Sequence, residues 1–381
     1  MDIRVLNEKE RSMAVDLWQY CFADAGVFAE WYFRRRAEDV LAMMDGGSLV
    51  AQLVCVPMAV DMRGAARDAM MLSGVATAPA HRGRGHMTTI MRQGLAFLRD
   101  KGFAAAVLYP YDYGFYNQYG FASCGEVARV NVPISRLLSV KLRGEILPVR
   151  SGATASAMLA RAYEASFARY SGRVLRGPEI FDQRLEEYEP EGGYAAVYCR
   201  EGREEGYLLY QMNDKTLFVN EIGGATHIAR QDLTSFLASH SSTMEAVEFV
   251  CALEDPLWRL LPDPRGAVSA QPYDMMRIID VGKAMGGLPA GEGSVTLQIR
   301  DPFAPWNEGV WRFSSCGGVL AAECVSEGEA PVLSINDLTR WAFGCADGST
   351  LAGGGAELPE AMALAMDALL PGQPFFLYET Y

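Results

Sequence analysis

Histidine is scarce in this sequence of 381 residues, with only four, and its eight cysteines (21, 55, 124, 199, 251, 316, 324 and 345) include no C-x-x-C pair. A zinc site needs histidine and thiolate ligands at short spacings, and a disulfide scaffold needs a short, cysteine-dense chain. Neither pattern is present, so no metal is expected. The cysteines are expected as reduced thiols packed like small hydrophobes, which suits a cytoplasmic protein. No run of about 18 apolar residues occurs, which excludes a spanning helix of the usual kind. Met1-Asp2-Ile3-Arg4 opens on charges and lacks the apolar stretch of a secretory leader, so no membrane insertion is expected. Positive charge is also in deficit: 34 Lys and Arg stand against 47 Asp and Glu, for a formal net charge of −13. That balance argues against nucleic acid as a partner. It favours cationic partners such as polyamines and aminated substrates, although the same charge also serves plain solubility.

What is present is ample apolar material. Half of the residues are hydrophobic and about a fifth are charged, the composition of a globular protein long enough for two or three cores. Three domains are expected: residues 1–133, 134–285 and 286–381. In the first, strand and helix signals alternate, as in an α/β domain. A strand at Ile3–Leu6 precedes helices at Glu10–Cys21 and Phe28–Arg36. Ser48–Met62 reads as two strands broken near Pro57, and Ala69–Thr77 as another. Met87, Ile90, Met91, Leu95 and Leu98 then recur at helical spacing, with Lys101-Gly102 as the stop. A strand follows at Ala104–Tyr109. The middle block shows a second α/β pattern, with helices at Ala153–Phe167, Glu179–Glu187 and Arg230–Ser239. Its strands are expected at Tyr194–Cys199, Glu205–Gln211, Thr216–Glu221 and Ala246–Leu253. The glycine-rich stretch from Gly286 to Gly293 is the candidate linker, and the remainder reads as a small α+β domain.

The richest segment is Ser73-Gly74-Val75-Ala76-Thr77-Ala78-Pro79-Ala80-His81-Arg82-Gly83-Arg84-Gly85-His86-Met87. A strand enters a turn and the turn enters an amphipathic helix. Glycines at 83 and 85 let the backbone approach a ligand. The first N–H groups of a helix lack internal partners, and the helix dipole favours an anion there. Arg82 and Arg84 add charge beside those amides. Together they form a candidate pyrophosphate cradle; the plainer alternative is a basic glycine turn with no ligand. The loop lacks the Lys-Ser/Thr ending of a nucleotide P-loop and the G-x-G-x-x-G of a dinucleotide site.

Val75-x-Thr77-x-Pro79-x-x-Arg82-Gly83-x-Gly85 resembles the acetyl-coenzyme A motif of GCN5-related N-acetyltransferases (GNAT). The family pattern has Gly or Ala where this chain has Met87. Phe115-Tyr116-Asn117-Gln118-Tyr119-Gly120-Phe121 resembles the enhanced intracellular survival (Eis) branch of that superfamily. So do Gly172-Arg173-Val174-Leu175-Arg176 and Met276-Arg277-Ile278-Ile279-Asp280-Val281. The resemblance implies α/β and α+β architecture: two tandem GNAT-like domains, then a sterol-carrier-protein-like domain. Only the first would hold the coenzyme, since Glu221-Ile222-Gly223-Gly224-Ala225-Thr226 has glycines but no arginine.

The resemblance also implies residue roles. Val75, Ala76 and Thr77 would offer backbone groups to the pantetheine arm of acetyl-CoA. Arg82, Gly83, Arg84, Gly85, His86, Met87 and Thr88 would cradle its pyrophosphate, and Tyr111 and Asp112 would touch it again. Tyr116 would be the general acid; packed core aromatic is the alternative for that residue. The tail Pro374-Phe375-Phe376-Leu377-Tyr378-Glu379-Thr380-Tyr381 would dock and bring the Tyr381 carboxylate to the site as general base. A docked strand that only completes the third domain is the other reading. Asp24 and Glu379 are candidates for facing the acceptor, though carboxylates are most often solvated surface. Trp31, Tyr32 and Phe33 either line the acceptor cleft or, for at least two of them, form helical core. The expected activity is N-acetyl transfer to cationic amines, aminoglycoside-like or lysine-like, by a homo-hexamer. A non-catalytic acyl-CoA- or lipid-binding protein and a pure assembly subunit are the competing expectations.

Overall fold

The computed structural model describes residues 1–22, 26–325 and 328–379. It divides into two compact units, Met1–Cys124 with Asp274–Gln373, and Gly125–Tyr273 with the chain from Pro374 onward.

The first unit is built on a sheet of seven strands: β1 (Asp2–Val5), β2 (Asp39–Asp45), β3 (Ser48–Met62), β4 (Ala65–Thr77), β5 (Ala105–Leu108), the strand Met275–Ile278, and β6 (Ala122–Ser123), in that spatial order. All pairs are antiparallel except β4 with β5. Helix α1 (Arg11–Cys21) and helix α2 (Gly26–Arg35) meet through Trp18, whose ring lies 5.1 Å from that of Tyr32 and 5.4 Å from that of Phe33. Tyr32 and Phe33 are therefore helical core, the second of the two expectations for them. Helix α3 (His86–Lys101) lays Ile90, Met91, Leu95 and Leu98 against Leu41, Leu53, Met70 and Phe121. It ends where expected, on Gly102 in the left-handed conformation.

Two expectations change here. Ser48–Met62 is one continuous strand, with Pro57 inside it. Cys55 turns its carbonyl toward the β2 side, where it accepts from Glu38 N–H at 2.9 Å. Pro57, two residues on, has the same orientation, but the β2 register ends at Asp39↔Cys55. Its missing N–H therefore faces an edge where no ladder bond is due. The domain breaks also move. Glu126–Pro133, expected in the first domain, lies between Ala246–Ala252 and Val268–Pro272 in the second sheet. Met275–Ile278, expected in the second, lies between β5 and β6 in the first.

The rest of the first unit is an α+β layer. A four-stranded sheet in the order Leu320–Val325, Gly309–Ser315, Gly293–Arg300, Val332–Ser334 packs with helices Ile335–Phe343 and Glu360–Leu369. Phe313 and Trp341 meet edge-on at its centre. The stretch read as a linker is packed: Leu288 is buried, and its carbonyl accepts from Leu320 N–H at 2.8 Å. The second unit repeats the first sheet's pattern of six pairings, with the parallel pair again fourth with fifth, Thr216–Gly224 beside Ala246–Ala252. Among the described residues no helix is long and apolar enough to cross a membrane.

Candidate active site

Strands β4 and β5 begin side by side and then part. Their register runs from Ala69↔Ala105 only to Met71↔Val107, while β4 continues to Thr77. A bulge lies just beyond: Gln52 pairs with Ala76 and Val54 with Ser73, so Gly74 and Val75 oppose Leu53 alone. Trp18 packs over Gly74 so closely that a Cβ there would collide with its ring. The bulge turns the end of β4 away from β5, and the gap is a cleft of about 680 Å³.

One side of the cleft carries Val75, Ala76, Thr77, Gly83, Gly85 and the start of α3 through Thr88. The other carries Tyr111, Phe115, Gln118 and Tyr119, from the turn after β5. Gly85 is the residue before α3 and sits at φ 77°, a left-handed conformation that a β-carbon penalises. Among the described residues no side chain caps this helix, and its first internal bond is from Thr89 N–H to the Gly85 carbonyl at 3.1 Å. The N–H groups of His86, Met87 and Thr88 therefore have no partner within the helix. Beside them, His81 Nδ1 and His86 Nε2 are buried without a hydrogen-bond partner among the described residues. Unmet donors and unmet ring nitrogens around an open cleft are what an extended anionic ligand would satisfy.

The expected coenzyme contacts divide. Val75, Ala76, Thr77, Arg82, Gly83, Gly85, His86, Met87, Thr88 and Tyr111 all line the cleft. Arg84 is exposed and is not part of the lining. Arg82 is turned back, with Nε donating to the Thr77 carbonyl at 3.1 Å. Asp112 is not part of the lining either: it caps the short helix α4 (Tyr113–Asn117), accepting from Phe115 N–H at 2.6 Å.

Tyr116 is 3% exposed and packs edge-on against Phe115, Tyr111 and Phe121, at ring separations of 5.1, 5.7 and 6.2 Å. It is not among the residues that line the cleft. Burial, with the Tyr111 and Tyr119 phenols as smaller contributors, pushes its hydroxyl well above the usual tyrosine value. Tyr119 does line the cleft, and its hydroxyl lies 3.1 Å from that of Thr88. No role is expected for Tyr119 from the sequence; it follows the end of α4 at Asn117, and its N–H donates to the Tyr116 carbonyl at 3.0 Å. His81, at the start of the glycine loop, lines the cleft, as do Cys21, Phe22, Phe115 and Gln118, for which no coenzyme contact is expected from the sequence.

Asp24 and Tyr381 lie outside the described residues. Glu379 is described, and its position differs from the expected one facing an acceptor. In the second unit its carboxylate is 1% exposed and accepts from Arg176 Nε at 3.0 Å and from Arg184 Nη2 at 2.5 Å. A carboxylate so engaged and so desolvated has no free oxygen face for an external amine. Arg176 also donates to Glu221 at 2.7 Å.

The second unit contains the counterpart of the cleft. Its parallel strands are in register from Thr216↔Ala246 to Val219↔Phe249, and a register shift follows where Leu209 pairs with Glu221 and Tyr210 with Val219. The space beyond is only about 20 Å³, lined by Glu221, Arg176 and Tyr207 and by Phe376 and Tyr378 of the tail. Aromatic rings and an ion pair fill the volume that stands open in the first unit.

Residues 2–124 match the family described as acetyltransferase (GNAT) domain, residues 172–278 a second family of the same description, and residues 281–377 the sterol carrier protein domain. The parted strands, the bulge and the uncapped helix thus belong to a GNAT acetyltransferase, and the protein is an acyltransferase enzyme. An uncharacterized N-acetyltransferase of Streptomyces coelicolor is 27% identical over 306 residues, covering 72% of this chain and 71% of its own. The N-acetyltransferase Eis of Mycobacterium bovis is 24% identical over 290 residues, covering 69% of this chain and 70% of its own. Among solved structures, Eis1 from Mycobacterium abscessus superposes with a TM-score of 0.80 at 20% identity, over 100% of both chains. The chain carries two GNAT domains followed by a sterol-carrier-like domain, and it is similar to the Eis N-acetyltransferases over 69% of its length.

Proposed function

We propose that this enzyme transfers the acetyl group of acetyl-CoA to the amine of a cationic acceptor, aminoglycoside-like or lysine-like. The carrying observation is the cleft where β4 and β5 part, closed at one end by the uncapped start of α3. The amides of His86, Met87 and Thr88 would hold the pyrophosphate, with His81 and His86 beside it. The free edge of Val75–Thr77 would pair with the pantetheine arm as an added strand does. Arg84 and Asp112 are left out of this set, and so is Glu379.

In the reaction the acceptor nitrogen attacks the thioester carbonyl carbon, the C–S bond breaks, and the leaving sulfur takes a proton. Tyr116 is assigned as the donor of that proton. The amine's own proton goes to the Tyr381 carboxylate, as the resemblance implies. A second reading has a specific observation behind it: Tyr119 lines the cleft and Tyr116 does not, so Tyr119 would be the donor. We extend the proposal to a hexameric, cytoplasmic protein on the resemblance alone.

Thiol release from acetyl-CoA with a panel of cationic amines tests the activity; coenzyme binding with no turnover on any amine would sink it. Tyr116→Phe should lower turnover about 100-fold with unchanged coenzyme affinity. A wild-type rate in Tyr116→Phe together with a large loss in Tyr119→Phe moves the role to Tyr119. A chain extended beyond Tyr381 that keeps full activity removes the carboxylate from the mechanism.

A further inference from the structure

We infer that the sterol-carrier-like domain is a positioning brace for the acid-bearing turn of the acetyltransferase cleft, acting through Asp301 and Asn336; the inference rests on the acetyltransferase reading above.

The turn from Tyr113 to Phe121 carries Tyr116 and Tyr119, and its main chain is held by Asn336 directly and by Asp301 through Arg277, a residue of the turn's own sheet. Asn336, in the first turn of Ile335–Phe343, donates from Nδ2 to the Asn117 carbonyl at 3.1 Å and to the Phe121 carbonyl at 2.9 Å. One amide thus ties the end of α4 to the end of the turn. Between them, the Tyr119 carbonyl accepts from Nη1 of Arg277, on the strand Met275–Ile278. Arg277 is fully buried, and its Nη2 donates to both oxygens of Asp301 at 2.7 Å. Asp301 is fully buried too and is fixed in turn by Ala304 N–H at 3.1 Å and Asn307 Nδ2 at 3.0 Å. Arg277 approaches so closely that a β-carbon on Gly120 would overlap Nη1. Glycine at 120 is thus required by the brace as well as by its φ of 87°.

The same segment also grips the opposite wall. Arg92 of α3 donates to the Pro302 carbonyl at 2.9 Å and lies over the Phe303 ring at 4.6 Å. Phe303 meets the Tyr119 ring edge-on at 5.1 Å. The Tyr119 hydroxyl, against Thr88 at the start of α3, closes the circuit. Residues 301–303 therefore fasten the helix that would hold the donor's pyrophosphate and the turn that would protonate its sulfur. A buried ion pair is weak evidence of stability, because desolvation offsets the attraction. Holding two walls at one spacing is a use that does not depend on net stability, since a displacement of about 1 Å can cost about 100-fold in rate.

The test compares Asn336→Ala with Arg63→Ala. Arg63, on the β3–β4 hairpin, also joins this domain to the first sheet, donating to the carbonyls of Trp341, Ala342 and Pro371 at 2.8, 2.9 and 2.7 Å, but it does not line the cleft. Steady-state acetylation of an amine turned over by the wild type is measured on the full chain, with melting temperature in parallel. The brace predicts kcat about tenfold lower in Asn336→Ala, with the acetyl-CoA KM within about twofold. Arg63→Ala should lower the melting temperature and keep the wild-type kcat. Asp301→Asn should act like Asn336→Ala but more strongly; where it fails to fold, Asn336→Ala decides alone. A wild-type kcat in Asn336→Ala overturns the brace. Losses of kcat that merely follow melting temperature in both variants also overturn it, because they describe a stabilising contact. A wild type inactive on every amine overturns the acetyltransferase reading itself, a distinguishable result.

Discussion

Burial acts on Tyr116 through its proton. A phenol surrounded by Phe115, Tyr111 and Phe121 loses the water that would stabilise its anion, so its folded-state pKa rises above the unfolded value of about 10. The folded state therefore binds this proton more tightly than the unfolded state. The stability so contributed is fully present below about pH 10 and is lost as pH rises through the folded value. For activity the consequence is direct. An acid that keeps its proton gives no alkaline limb in the turnover profile below about pH 10. The measurement is kcat against pH for wild type and Tyr116→Phe. An alkaline limb well below that point, present in the wild type and absent in the variant, would tie the limb to Tyr116 and contradict the raised pKa. The motif that carries Tyr116 is local and is displayed by the sequence alone. Tyr119 was not assigned, because its access to the cleft depends on where Thr88 sits, 31 residues away in the chain.

The glycine loop and α3 form the element that the sequence displayed most clearly. A helix start, a repeating apolar stripe and a left-handed glycine stop are all set by neighbours within a few residues. Gly85 is the sensitive position. At φ 77° with no atom within 4 Å of a built β-carbon, it is chosen for conformation and not for packing. Gly85→Ala should cost about 1 kcal/mol of stability. It should also weaken acetyl-CoA binding about fivefold or more, because the loop relaxes and the first-turn amides lose their aim. Calorimetric titration of the folded variant checks this, and unchanged affinity would show that those amides do not hold the ligand. The strand through Pro57 was not legible, since a proline breaks a strand only where its missing N–H is needed. That depends on β2 ending at Asp39, a fact about a neighbouring strand.

Over the whole molecule, one topology serves two ends. The first unit leaves the space between its parted strands open at about 680 Å³, and the second nearly closes it at about 20 Å³. In the second, the closing residues come from the tail: Phe376 stacks on Phe167 with ring centroids 5.4 Å apart, and Glu379 pairs with Arg176 and Arg184. Glu379→Gln leaves those guanidinium groups short of a buried counter-charge, so it should destabilise the protein by about 3–5 kcal/mol. Thermal or urea unfolding reads this; a wild-type midpoint would mean the cluster is not worth what its burial implies. Each sheet's sixth strand comes from a part of the chain assigned by sequence to the other block, Met275–Ile278 in the first and Glu126–Pro133 in the second. Short apolar strands carry no mark of which sheet they will join.

The sequence by itself determined the local chemistry: a glycine turn into an amphipathic helix, a tyrosine-rich turn, and three blocks of α/β and α+β pattern. Periodicity, turn preference and capping act over a few residues, so they are written in order along the chain. The tertiary structure alone decided that the β4–β5 gap is open while its counterpart is filled. It also decided that Arg84 and Asp112 stay out of the cleft, that Glu379 is bound by arginines, and that Asn336 and Asp301 reach the turn that carries Tyr116. These follow from burial and from pairing between residues up to some two hundred positions apart, such as Asn336 with Asn117 and Glu379 with Arg176. The free energy of such contacts depends on which surfaces meet, and no short stretch of sequence records that.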